Sequence, residues 1–322
     1  MSSPAKVSAI IATSRRAELA MRSLGSLLAN DYPNLEIVVV DQDPERRLES
    51  LIQSAFPGES RLVCVWLKGE NLSRARNVGV NLATGDILVF LDDDAVASPG
   101  LISAHAAAFD GTWPSAGAVA GRLDPDFELP RPAWLSEEAL QLLGIYQDGS
   151  EFRPMREDHL PMGANFAVPR RLFESCGPFD ERLGYSYSRR ESMLAGEDSL
   201  LTLRIKQAGN QLYYAPAAVA RHRVAAAKLS LSYLLRRYYW EGATQLTLLY
   251  LAGQISRASA PGIIRSHYRR IFREALKGLV RHRVQDSRLP SRKKLVGAAC
   301  ECLRSLGTIV WAGRLATRGS LP

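Results

Sequence analysis

Cysteine is scarce in this 322-residue chain, and the little there is forms no framework. Cys64, Cys176, Cys300 and Cys302 show no CxxC pair and no disulfide-like pattern. Reduced thiols and a cytoplasmic setting are therefore expected. Also missing is any run of about 18 uninterrupted apolar residues, the length a spanning helix needs. The opening MSSPAKVSAIIATSRR holds only about six apolar residues in a row, too few for the core of a signal peptide. No GxGxxG follows the first apolar run and no GxxxxGK[ST] occurs anywhere. That argues against a dinucleotide fold and against a P-loop. Acids are nearly absent from the last third. Residues 221–322 carry 20 Lys+Arg and 4 Asp+Glu, whereas residues 1–220 carry 21 and 29. An acidic body with a basic tail suggests two jobs. Such a tail can hold anionic lipid headgroups, nucleic acid or a pyrophosphate-bearing acceptor.

What is present is an ordinary globular composition, 46% hydrophobic and 23% charged. Short apolar runs alternate with helical patterns. VSAIIA (7–12), LEIVVVD (35–41), RLVCVWL (61–67) and DILVFL (86–91) read as strands, and amphipathic helices separate them. This order predicts βαβ units and a parallel sheet. The continuous Val/Ile runs suit strands covered on both faces. Ligands in such sheets bind outside the carboxyl ends of the strands. Polar residues gather there: Thr13-Ser14-Arg15, Asp41-Gln42-Asp43 and Asp92-Asp93-Asp94. After Gly121 the pattern loosens into a Pro-rich stretch read as loops with a short helix. GEDSLLTLRIKQAGN (196–210) is a helix, QLYYAPAAVARHRV a last strand and loop, and everything from Lys228 onward reads as helical.

Three adjacent carboxylates repel one another unless a positive group sits among them. A divalent cation of the Mg²⁺ or Mn²⁺ type answers that, since hard cations take oxygen ligands. In an extended backbone Asp92 and Asp94 point to one side and Asp93 to the other. The bland alternative is a solvated acidic turn. Glu197 and Asp198 open a helix, where acids suit the helix dipole; a general base is the functional alternative. Arg265, Arg269, Arg270 and Arg273 lie at mainly i,i+4 spacing among Ile271, Phe272, Leu276, Leu279 and Val280. That pattern fits a helix on an anionic bilayer, or one packing its apolar stripe on the body.

The ordered set TSR, VVVDQDP, NLSRARNVGVNLATGD, VFLDDDA, PMGANFAVPRRLFESCGPFDERLG and AGEDSLLTLRIKQAGNQLYYAPAAVARH resembles the family 2 glycosyltransferases over residues 6–223. The resemblance implies the α/β GT-A fold, with a Rossmann-like, mostly parallel sheet flanked by helices. It further implies an inverting transfer of sugar from a nucleotide-diphosphate sugar, with Mg²⁺ or Mn²⁺ as cofactor. Carried over by position, Thr13, Ser14 and Arg15 would line the nucleotide pocket. Asp41 would meet the base, Arg76 the pyrophosphate and Asp92 the ribose side of a DxD motif. Asp94, with Asp92 and His222, would hold the metal. Asp198 would be the base with Glu197 as fallback, and Gly163, Ala164 and Asn165 would lie near donor sugar and acceptor. Residues 1–225 are then the catalytic domain and 226–322 a basic helical region, packed on it or on a membrane. The acceptor would be a saccharide or lipid-linked, in polysaccharide or glycolipid assembly. The setting would be cytoplasmic, peripheral at the inner face of the cell membrane, with no nucleic-acid partner. A nucleotidyltransferase, or a non-catalytic nucleotide-sugar-binding protein on the same fold, are the alternatives.

Overall fold

The computed structural model describes residues 4–157, 159–185, 193–284, 292–318 and 320–321, without the side chains of 274–284 and 292–293. The elements run β1 (Val7–Thr13), α1 (Ala17–Leu28), β2 (Leu35–Asp41), α2 (Arg47–Ala55), β3 (Leu62–Trp66), α3 (Leu72–Leu82), β4 (Ile87–Leu91), β5 (Ala95–Ala97) and α4 (Leu101–Ala107). They continue through β6 (Ala116–Phe127), α5 (Glu137–Gln141), β7 (Arg153–Pro154), β8 (Asn165–Pro169), α6 (Arg171–Cys176), α7 (Glu197–Gln207) and β9 (Gln211–Val224). Three long helices close the chain: α8 (Leu231–Leu251), α9 (Ala260–Val284) and α10 (Arg292–Arg318). Two compact units result. One comprises Met1–Asp126, Gly144–Arg190 and Glu197–Arg223; the other comprises Phe127–Leu143, Glu191–Gly196 and Val224–Pro322.

In the first unit the described strands form one mixed sheet ordered β3-β2-β1-β4-β8-β6-β9-β5, with β7 paired to β9. β3, β2, β1 and β4 are parallel, while β8 runs antiparallel to both β4 and β6. β4 is wholly buried and β1 nearly so, which explains their uniformly apolar sequences. β3 departs from the expectation of two-sided cover: it is an edge strand with Val63 exposed. The second half of β6, all of β7 and the start of β8 fall in the stretch after Gly121 that reads as loops, and they are strands. Phe90 of β4 stacks on Phe166 of β8 at 4.8 Å and meets Phe179 edge-on at 5.2 Å, so aromatic packing ties the antiparallel half to the parallel half. α3 is capped by Asn71, whose side chain accepts from Arg74 N at 2.8 Å. It lies close on the sheet, since a Cβ at Gly79 would stand 2.5 Å from Ile10 Cγ2. Register sets the site: Thr13 pairs with Asp41, Asp41 with Trp66, and Leu91 with Asn165. Their polar neighbours therefore end at one level.

In the second unit α8 and α10 cross with almost no space between them. A Cβ at Gly242 would fall 1.9 Å from Arg304 O, and one at Gly307 1.9 Å from Tyr239 O. Trp240 and Trp311 meet edge-on at 5.2 Å beside that crossing. The segment Lys294–Arg318 is long and apolar enough to cross a membrane by length and composition, although 39% of its most apolar stretch is buried inside the structure. Glu301 and Arg304 interrupt it, so no uninterrupted apolar run announces it in the sequence. Leu276, Leu279 and Val280 have side chains outside the described residues.

Candidate active site

The centre of the site is Arg76, projected from α3 and 3% exposed. Its Nη1 donates to Glu197 Oε1 at 2.6 Å, and its Nη2 to Asp92 Oδ1 at 2.8 Å and Gly163 O at 3.0 Å. One guanidinium therefore links the acid after β4 to Glu197 at the start of α7. Arg76, expected at a pyrophosphate, pairs with one buried carboxylate, Glu197, and one partly exposed, Asp92. Glu197 is buried, its Oε2 has no hydrogen-bond partner, and burial pushes its carboxyl up to about 7, with nearby Asp198 adding to the rise. Asp198 is less enclosed. Its Oδ2 accepts from Gly163 N at 2.5 Å and its Oδ1 from Ser199 N at 2.7 Å. Desolvation raises its carboxyl as well, against the pull of Arg76. Gly163 has no room for a side chain: a Cβ would stand 2.8 Å from Arg76 Nη2 and 2.9 Å from Asp198 Oδ2.

The three aspartates after β4 divide as alternation requires. Asp92, Asp94 and His222 each offer a ligand atom, all within 4.8 Å of one another. Asp93 turns away and accepts from Thr13 Oγ1 at 2.7 Å; burial raises its carboxyl to about 6. His222 comes from β9, where it pairs across to Ala95 of β5. Its Nε2 lies 3.0 Å from Asp94 Oδ1 and its Nδ1 is buried with no hydrogen-bond partner. Gly144 packs on the ring, and a Cβ there would stand 2.5 Å from His222 Cε1. Two carboxylate oxygens and an imidazole suit a hard or borderline divalent cation, so this donor set fits Mg²⁺ or Mn²⁺. Arg16 went unnoticed in the sequence. Its Nη1 sits 3.1 Å from both Asp93 Oδ1 and Asp94 Oδ2.

At the ends of β1 and β2 the expected nucleotide residues come together. Ser14 Oγ donates to Gln42 O at 3.4 Å, and Arg15, with φ +57°, holds Glu70 Oε1 at 2.6 Å from its Nε. Asp41 is buried, which raises its carboxyl, and its Oδ1 accepts from Asp43 N at 2.8 Å. Trp66 Nε1 donates to Asp43 O at 2.8 Å while Arg46 lies 3.7 Å over the indole. Sequence reasoning placed Asp43 at the polar strand end without a role of its own and passed over Trp66. Ala164 is buried, and its carbonyl accepts from Asp92 N at 3.3 Å. Asn165 is fully buried and its amide is committed within the sheet. Oδ1 pairs with His105 Nε2 at 2.8 Å, and Nδ2 donates to Arg122 O and Ala218 O at 3.1 and 2.8 Å.

A parallel βαβ half-sheet, an acidic DxD at its carboxyl edge and an antiparallel extension make this a GT-A fold. The profile of glycosyl transferase family 2 matches residues 8–177, and the chain belongs to that family. It is similar to the glucosyl-dolichyl phosphate glucuronosyltransferase of Haloferax volcanii, 28% identical over 252 residues, 76% of this chain and 78% of that one. It is also similar to the succinoglycan biosynthesis protein ExoM of Rhizobium meliloti, 27% identical over 243 residues and 74% of each chain. The mannosyltransferase PcManGT of Pyrobaculum calidifontis, solved with GDP-Man and Mn²⁺, shares the fold. Its TM-score is 0.55 at 19% identity, over 99% of this chain and 77% of that one. The protein is thus a glycosyltransferase.

Proposed function

We propose that the enzyme inverts the anomeric centre in a single displacement, with Asp198 as general base. One observation carries the reading: Arg76 bonds Glu197, Asp92 and the carbonyl of Gly163, and the amide of Gly163 donates to Asp198, so a base and a donor-side acid meet around one hub. Of the two α7 acids, Asp198 is the less enclosed, and Glu197 is committed to Arg76. Backbone amides of Gly163 and Ser199 fix the carboxylate of Asp198 while leaving lone pairs for a third donor. The acceptor hydroxyl gives its proton to Asp198 as its oxygen bonds to the anomeric carbon. The bond from that carbon to the diphosphate breaks, and the nucleoside diphosphate leaves with the electron pair. Asp92, Asp94 and His222 would hold Mg²⁺ or Mn²⁺. That ion would neutralise charge on the departing diphosphate. Thr13, Ser14, Arg15 and Asp41 would line the nucleotide, and Gly163 and Ala164 would let the sugar approach backbone closely. Asn165 would act by holding strands in register.

Residues 1–225 would supply this chemistry and residues 226–322 the attachment. The names of the Haloferax and Rhizobium relatives support an acceptor that is lipid-linked or part of a polysaccharide. A basic tail supports work at an anionic membrane surface. The test is a panel of UDP-, dTDP- and GDP-sugars with Mn²⁺, read by turnover and by melting temperature. Asp198→Asn should lose about 10²–10⁴-fold in turnover and keep donor binding. Full turnover in that variant would remove the base, and full turnover in EDTA would remove the metal.

A further inference from the structure

We propose that one face of α9, from Arg265 to Arg273, docks on a bilayer containing anionic phospholipid. At about 100° per residue, Arg265, Tyr268, Arg269, Phe272 and Arg273 fall within an arc of roughly 140°. All five are exposed. Phe272 at 69% and Tyr268 at 59% are the most exposed large hydrophobic residues among the described residues. They lie one turn apart, so their rings form one apolar ridge. Ile263, Ile264, His267 and Ile271 fill the opposite arc and are half-buried. Arg270 turns to that inner side and pairs with Glu301 of α10 at 2.7 Å, which anchors the helix with the ridge outward. Among the described residues no carboxylate pairs with Arg265, Arg269 or Arg273.

Water is a poor environment for two adjacent rings this exposed, and arginines beside them with no carboxylate partner among the described residues call for anions. A membrane interface supplies both at once: the rings enter at headgroup level and the guanidinium groups meet lipid phosphates. Charge complementarity favours that occupant. The region from 221 onward carries 20 basic against 4 acidic residues, so its field attracts an anionic surface. The proposal deepens the membrane part of the functional reading and is independent of the base and metal assignments.

The test is sedimentation of the full chain with phosphatidylcholine vesicles, pure or with about one-third phosphatidylglycerol. Wild type should bind the anionic vesicles, more weakly as salt rises, and leave pure phosphatidylcholine alone. R265Q/R269Q/R273Q should weaken that binding about 100-fold and flatten its salt dependence. Y268S/F272S should weaken it about tenfold and keep the salt dependence. Melting temperature and turnover in solution should match wild type in both, because the changed side chains are exposed and outside the site. Wild-type vesicle binding by either variant overturns the proposal, as salt-resistant insertion of α10 would produce. Displacement from anionic vesicles by an equal charge of single-stranded oligonucleotide overturns it in favour of nucleic acid. Vesicle binding that follows this face without any sugar transfer would sink the transferase reading and leave this one standing.

Discussion

Arg76 shows how one buried charge can serve both folding and chemistry. Removing it leaves Glu197 buried beside Asp198 and Asp92 with no counter-charge. Arg76→Ala should cost about 3–5 kcal/mol, the usual penalty for breaking a buried pair from one side. Urea denaturation measures this, and a loss under 1 kcal/mol would mean the hub is not integral to the fold. Arg16 is a different case, only partly buried against Asp93 and Asp94. A guanidinium there competes with a divalent cation for Asp94. Arg16→Ala should therefore tighten donor-free Mn²⁺ binding by up to about tenfold, the scale of a partly exposed ion pair. Titration of the Mn²⁺ paramagnetic signal reads this directly, and weaker binding would instead make Arg16 an organiser of the carboxylates. Of these partners, Asp92 and Asp94 could be read from their spacing after an apolar strand. The link from Arg16 to Asp94 could not, because it spans 78 residues and depends on how β1 and β4 align.

Among the elements, the parallel half was legible and the antiparallel half largely was not. β1, β2 and β4 are dense in Val, Ile and Leu, which suit a pleated surface buried on both sides. β6 reads AGAVAGRLDPDF, with two glycines, a proline and many alanines, so neither period nor propensity announces it. It forms because β8 and β9 lie beside it, a non-local cause that no short window contains. The α8–α10 crossing was equally hidden, since isolated glycines in helical patterns look like weak points. Here they permit backbone contact. Gly242→Ala or Gly307→Ala would drive a methyl into a facing carbonyl. Each should destabilise the helical unit by about 1–3 kcal/mol through overpacking. Helix–helix separation cannot be relieved by a rotamer change, so thermal melts of either variant should show the loss. Gly262→Ala, whose Cβ meets nothing within 4 Å, is the control that should melt like wild type.

Across the whole molecule, stability against pH is set by buried groups that oppose one another. Glu197 has an ordinary value of 4.5 and is held at about 7, so the folded state keeps a proton that the unfolded state has released. Its contribution to stability therefore falls as pH rises from about 4.5 to 7. Asp93, held at about 6, acts with the same sign over its lower range. His105 does the reverse. Burial lowers it from 6.5 to about 4, against the opposing pull of its bond with Asn165, so stability is lost as pH falls through that interval. Glu36 and Glu59, both lowered from 4.5 to about 2, lose their contribution as pH falls below about 5, at the lower edge of this window and beneath it. The wild-type melting profile between pH 4.5 and 6.5 is thus a partial cancellation. Single variants expose its two halves. Relative to wild type, Glu197→Gln should gain melting temperature as pH rises from 4.5 to 7, whatever its absolute stability. His105→Gln should gain relative to wild type as pH falls from 6.5 to 4. Calorimetric scans across pH decide it: parallel profiles in all three proteins would mean that neither group titrates inside the folded core, and the hub around Arg76 would then need a different protonation state.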